Sequence, residues 1–180
     1  MEPKAGDLLI AEPFMKDNNF KRSVVLLCEH NDKGSFGLVL NRKIELKVDD
    51  VLPEFAMDNI DLFYGGPVGT DTLHYIHSYG DLIEGSVHLK DNIYWSGNFE
   101  QIKMLFETKS VDPKRFRFFI GYSGWSENQL TNELKTNSWI IASNFSEVFV
   151  AHEELWQLVL QSMGGEYSFV STFPEDPQLN

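Results

Sequence analysis

Residues 121–125 read Gly-Tyr-Ser-Gly-Trp, and a serine held between glycines is the first place to look for a nucleophile. In a G-x-S-x-G elbow the serine stands on a sharp strand-to-helix turn, and the last glycine lets the following helix pack against the strand. Trp125 occupies that last position here, so the elbow is incomplete. Gly121 and Gly124 instead suit a tight strand-to-helix turn with Trp125 plugging the core; the functional reading beside it is that free backbone N–H groups near the next helix start bind an anion. This makes Gly121, Tyr122, Gly124 and Trp125 candidate ligand-binding positions. It also implies that Gly124→Val destabilises the domain, because a β-branched residue suits neither a positive φ nor a close approach. Neither the phosphate-loop nor the dinucleotide fingerprint is met, since the Lys-Ser/Thr pair and the third glycine are missing.

A second group of polar residues sits where apolar runs stop. Glu29 and His30 close the run Val24–Leu27, Asn41 closes "FGLVL", and Gly65, Gly66 and Pro67 close "IDLFY". If the hairpin brings Glu29, His30 and Asn41 to one rim, an acid, an imidazole and an amide are enough to orient a polar ligand. The same trio can supply a general base with an orienting partner. His74 and His77 have the look of a metal pair, but on a strand positions three apart face opposite ways, so no metal is assigned. Glu127 and Glu133 lie on different sides of one helix and make poor catalytic partners; Glu127 complements the helix N-terminus instead. Cys28, inside an apolar run, reads as a small buried side chain.

The elements that must hold these residues follow from periodicity. "DLLIAEP", "SVVLLCEH" and "FGLVLN" are strands, the last two joined by the turn "NDKGS" as a central hairpin. "KVDDVLP" gives a helical turn closed by Pro53, and "IDLFYGGPV", "TLHYIHS" and "GSVHL…NIYWSG" give further strands. "NFEQIKMLFETK" is a helix capped by Asn98. After the strand "DPKRFRFFIGYSGW", Ser126 and Gln129 form a capping box for a helix bearing Leu130 and Leu134 on one face. "SWIIAS" is a strand, and "HEELWQLVLQSMGG" is the last helix, with Leu155, Trp156 and Val159 buried and Gly164 at the stop. Strands mostly in hairpins, with helices late in the chain, indicate an α+β class. Residues 1–171 read as one domain and 172–180 as an acidic, proline-containing tail.

Length and charge exclude several functions. The chain has 180 residues, a net charge of -12 and one cysteine. It is long enough for a sizeable core without disulfides, and the lone thiol suits a reducing cytoplasm. No run approaches the ~20 apolar residues of a membrane span. Affinity for nucleic acid comes mainly from cations neutralising phosphates, so the charge balance argues against direct DNA binding. In "DPKRFRFF", alternation places Arg115 and Arg117 on one face, read as solvated, and the phenylalanines on the other.

Taken together, "GDLLIAEP", "FKRSVVLLCEH", "GLVLN", "YGGPV" and "GYSGWSENQL", with Trp139 and Trp156, make the chain resemble the YqgE/AlgH family of uncharacterised bacterial proteins. The resemblance implies a bent, bifurcated, mostly antiparallel sheet forming a pseudo-barrel, flanked by helices. It implies no established reaction. Members often carry the label of transcriptional regulator, and at Ser123 they commonly have alanine, which removes this serine as a family nucleophile. The reading is therefore a cytoplasmic, non-enzymatic binding or regulatory module for a small polar ligand or a protein partner, without cofactor. The alternative is a hydrolase or transferase using Glu29 or His30, with anion binding by the glycine turns.

One expectation follows from charge alone. Fluorescence anisotropy against duplex DNA at ~150 mM salt should detect no binding tighter than the non-specific range of ~10⁻⁴–10⁻⁶ M. A nanomolar, sequence-dependent isotherm would reverse the reading.

Overall fold

Apolar runs too short for helices pair in register, and that pairing builds most of the molecule. The computed structural model describes residues 2–55, 59–145, 147–150 and 154–175. The strands are β1 (Leu8–Ala11), β2 (Val24–Asn31), β3 (Gly34–Val39), β4 (Lys43–Lys47), β5 (Asp61–Tyr64), β6 (Val68–His77), β7 (Val87–Lys90), β8 (Ile93–Trp95), β9 (Phe116–Ser126) and β10 (Trp139–Ala142). The helices are α1 (Val48–Val51), α2 (Phe99–Glu107), α3 (Gln129–Lys135), α4 (Leu155–Met163) and α5 (Gly165–Val170).

The result is an α+β fold with one ten-stranded sheet in the order β10-β1-β2-β3-β9-β6-β8-β7, with β4 and β5 off that path. It is antiparallel except where β5 runs parallel to β9. The fork lies at β9. Its first half pairs with β5 through Leu62↔Phe118 to Tyr64↔Ile120, and its second half pairs with β3 through Gly37↔Ser123 to Gly34↔Ser126. On its other side β6 follows it from Phe116 to Tyr122. The path stays open between β10 and β7, so the sheet does not close into a barrel among the described residues.

Burial on both faces explains why β1 and residues 24–28 of β2 are apolar. Leu8, Ile10, Val24, Leu26 and Cys28 pack with Leu155, Trp156, Val159 and Leu160 of α4. Leu9, Ala11, Val25 and Leu27 face the other way, toward Trp125, Leu130 and Trp139. A third cluster joins Phe116 and Phe118 to Ile102 and Phe106 of α2 and to Val48. Asn98 caps α2 by accepting from Gln101 N at 3.1 Å, as its position predicts. Trp156 Nε1 donates to Ala11 O at 2.8 Å, fixing α4 on β1.

Several local expectations fail for identifiable reasons. β4, rich in charge, was not anticipated; its Lys43 and Lys47 pair opposite Phe63 and Asp61. The chain does not end its helices at Gly164, because positive φ at Gly164 and Gly165 turns it into α5. The start expected for that helix, His152 and Glu153, lies outside the described residues, and Glu154 is its N-cap. The first tail residues stay against the domain: Phe173 O accepts from Arg22 Nη2 at 2.6 Å.

The larger correction concerns residues 121–125, which are strand and not turn. β9 runs through Ser126, and α3 begins at Gln129 after Asn128 takes a left-handed φ of 60. Half of the expected capping box is present, with Gln129 Oε1 accepting from Ser126 N at 3.0 Å. The glycine under constraint is Gly121, with φ +68 and Gly66 O only 2.5 Å from where its Cβ would stand. Gly124 lies outside the positive-φ region, and its Cβ would meet no atom nearer than the Tyr122 ring at 3.3 Å. A Cβ on Gly65 or Gly66 would collide with the backbone of Gly121 or Tyr122.

These contacts reverse the expected sensitivity of the two glycines. Gly121→Val should lower stability by about 2–4 kcal/mol, combining a disfavoured φ with a backbone clash. Gly124→Val should stay within about 1 kcal/mol of wild type, since an extended site accepts a β-branched residue. Chemical denaturation of both variants measures this, and equal midpoints for the two would refute it.

Candidate functional site

β9 carries an arginine in the middle of an apolar run, and the fold covers both of its faces. Phe116 and Phe118 point into the cluster under α2, while Arg117 and Phe119 point the other way. That other face is not solvated as expected: Arg117 is 2% exposed. Alternation separates the two faces correctly but carries no information about β5 and the segment near Phe149 covering the cationic one. Arg117 Nη1 donates to Leu40 O at 2.9 Å, and the guanidinium carbon lies 4.6 Å from the centre of the Phe63 ring. Among the described residues Nη2 is buried with no hydrogen-bond partner. Burial lowers the Arg117 pKa to about 10, against the pull of Asp61, so the group remains a cation at neutral pH.

Arg117 stands in the wall of a cleft of about 530 Å³, together with Ile60, Asp61, Phe63, Lys114, Phe116 and Phe149. Asp61 opens β5 and is held by two lysines of β4, Lys43 Nζ at 2.9 Å and Lys47 Nζ on its other oxygen. Burial alone would push the Asp61 carboxyl up, but the hydrogen bonds and charges of Lys43 and Lys47 outweigh it and hold the group below the usual carboxylate range. The cleft therefore pairs an apolar, aromatic lining with a fixed guanidinium, a second cation at Lys114 and a carboxylate whose oxygens are already engaged. In the sequence the available signal was the run Phe116-Arg117-Phe118-Phe119, where one charge interrupts a strand otherwise apolar on both faces.

The positions singled out in the sequence do not share this cleft. Antiparallel pairing puts Asn41 at the opposite end of the hairpin from Glu29 and His30. Its Oδ1 accepts from Val24 N at 2.9 Å and its Nδ2 donates to Arg22 O at 2.8 Å, so it closes the start of β2. Glu29 accepts from Asn31 Nδ2 at 2.6 Å, and His30 Nδ1 lies 2.7 Å from Ser35 Oγ. His30, Ser35, Ser126 and Asn128 border a cleft of about 320 Å³. Gly65, Gly66 and Gly121 meet backbone to backbone, followed by Pro67 and Tyr122. Ser123 is fully buried and donates to Gly65 O at 3.0 Å. Gly124 and Trp125 border a third cleft, where Glu133 Oε2 accepts from both Trp125 Nε1 and Trp139 Nε1 at 2.8 Å. Glu133 was set aside as a poor catalytic partner; it is the carboxylate that ties α3 to two strands.

His74 and His77 diverge as strand geometry requires. His74 lies against Phe36 and Tyr122, whereas His77 lies against Tyr94 and Phe116 with Nε2 at 2.9 Å from Ser96 O. Cys28 is buried, which pushes its thiol pKa up and leaves it protonated. Among the described residues no group of three metal-ligating side chains forms, and no helix is long and apolar enough to cross a membrane.

Comparison with known proteins agrees with this architecture. The AlgH-like family model matches residues 8–168. A UPF0301 protein of Cytophaga hutchinsonii is 47% identical over 178 residues, covering 97% of this chain and 98% of that protein. A UPF0301 protein of Chlorobium limicola is 42% identical over 179 residues, covering 98% and 96%. The solution structure of the AlgH protein from Pseudomonas aeruginosa superposes with a TM-score of 0.72 at 26% identity, covering 97% of this chain and 98% of that one. The crystal structure of protein DIP2367 from Corynebacterium diphtheriae gives 0.78 at 22% identity, covering 96% and 94%, a likeness of fold alone.

The ion pairs at Asp61 set a pH dependence. Its folded pKa is lowered, so its stabilisation is present above the unfolded carboxylate value and is lost as pH falls through the folded one. Asp61→Asn should cost about 1 kcal/mol or less at pH 7, because the pairs are partly exposed. The gap from wild type should close below about pH 4. Urea melts at both pH values check this; a gap that widens in acid contradicts the assignment.

Proposed function

The chain belongs to the AlgH-like family, and from that premise we propose that it is a non-enzymatic binding module for a small polar ligand, seated in the cleft beside Arg117. One observation carries the reading: a buried arginine with an unpartnered Nη2 in the wall of a concave, largely apolar cleft. Small-molecule sites combine apolar walls with a few fixed polar groups, and this cleft has that composition. A buried donor without an acceptor is a stated cost that a ligand oxygen would remove. Concavity favours a small ligand over the flat surface of a protein partner. The regulatory role attached to the family name fits the same module, with ligand occupancy as the signal, and its setting is read as cytoplasmic.

The alternative reading, a hydrolase or transferase, draws on the His30–Ser35 pair. There a hydroxyl and an imidazole meet at 2.7 Å beside a cleft. A working base also needs an orienting partner. Glu29, the nearest acid in sequence, bonds Asn31 instead.

Amide NMR with a set of small polar fragments separates the readings. On the binding-module reading, shifts gather at residues 60–63 and 116–118 and disappear in Arg117→Met. Shifts confined to His30, Ser35 and Ser126 would move the site to the other cleft and favour the alternative.

A further inference from the structure

Resting on the reading that the Arg117 cleft holds a small polar ligand, we infer that this ligand is an oxyanion, a carboxylate or phosphate, carried on a flat apolar body. The argument begins with what the walls can donate and accept. A guanidinium has N–H donors and no acceptor, so whatever satisfies Nη2 must present an acceptor atom. The ionised guanidinium strengthens a hydrogen bond to any acceptor, and a charged oxygen adds the direct attraction between opposite unit charges, so it gains most there. Lys114 supplies a second cation on the same wall. The carboxylate in the lining, Asp61, is occupied by Lys43 and Lys47 and has little to offer an incoming cation.

The apolar part follows from the remaining walls. Phe63 and Phe149 line the cleft together with Ile60 and Val150, while the Phe116 ring packs on the other face of β9 against Tyr79 and Phe106. The guanidinium carbon lies over the Phe63 ring, 4.6 Å from its centre. A planar body between aromatic walls with its oxyanion toward Arg117 matches both features. Nη2 is buried, so a ligand oxygen reaches it only when the side chains over it move aside. The overall charge of -12 does not oppose this, because fixed charges in a low-dielectric wall act at short range while distant surface acids are screened.

The test uses three probes of one shape: benzoate, benzamide and benzylammonium, titrated into the full chain and followed by amide NMR. Benzoate should shift residues 60–63 and 116–118 and bind at least about ten-fold more tightly than benzamide, a difference of about 1.4 kcal/mol. Benzylammonium should leave those resonances unmoved. Arg117→Met should erase the preference for benzoate, with a melting curve recorded to confirm folding. Should that variant not fold, Lys114→Gln, at an exposed position, should weaken benzoate a few-fold while leaving benzamide unchanged. If benzamide binds as well as benzoate in an Arg117-dependent way, the oxyanion class is wrong and the small-ligand reading stands. If no probe touches the cleft, both are wrong. A benzoate preference that survives Arg117→Met also overturns the assignment.

Discussion

The peptide of Gly65 is the joint on which the sheet turns. Its N–H donates to Ile120 O at 2.8 Å, and its carbonyl accepts from Val39 N at 2.9 Å and from Ser123 Oγ at 3.0 Å. One residue thereby links the end of β5 to β3 and to both halves of β9. The joint is possible only because Gly65, Gly66 and Gly121 bring backbones closer than any Cβ allows. Where β9 passes this point it exchanges one neighbour, β5, for another, β3. The register of β6 slips across the same place, between Val68 and Leu73. Two glycine phrases far apart in the chain, Gly65-Gly66-Pro67 and Gly121-Tyr122-Ser123-Gly124, are therefore two sides of one backbone contact.

Much of the fold was legible because local patterns and tertiary burial agree there. The apolar runs of β1 and β2, the polar turn before Gly34, the Asn98 cap and the buried side of α4 each declare themselves within a few residues. Residues 121–125 were misread because glycine frequency signals turns locally, and the true demand on Gly121 comes from Gly66, distant in sequence. The same blindness affected Asn41: ending a strand says nothing about which end of the hairpin it occupies, and antiparallel pairing decides that. Arg117 was hidden for a related reason. Alternation tells which residues share a face, but whether that face meets water depends on β5 and on the segment near Phe149, both far away in the chain.

The carboxylates divide in the same way between roles that sequence spacing displays and roles it conceals. Glu127 and Glu133 read in sequence as two acids of one helix, yet α3 starts only at Gln129; Glu133 accepts two indole N–H groups and the amide of Gln129, while Asn128 Nδ2 donates to Glu127. Glu133 is thus a fastening between α3, β9 and β10, and Trp125 is positioned by it as much as by packing. This assigns the Trp125 end of β9 to architecture and leaves the opposite half, from Phe116 to Phe119, as the part whose polar chemistry is unspent.

The energetics of Arg117 point the same way. Removing a guanidinium from water costs several kcal/mol unless it is fully paired, and apolar side chains of similar volume often replace buried ions without loss. Arg117 has one carbonyl acceptor, one ring face and a carboxylate acting at longer range, which leaves one nitrogen uncompensated. A purely structural role leaves that nitrogen without compensation. The proposed ligand would change that balance, because a ligand that engages only the folded state stabilises it by about 2.7 kcal/mol at a hundred times its dissociation constant. On the proposed reading, a buried cation that is poorly compensated by the protein alone and well compensated by an oxyanion would couple the stability of this domain to the presence of that anion. That coupling is the property a ligand-responsive module needs.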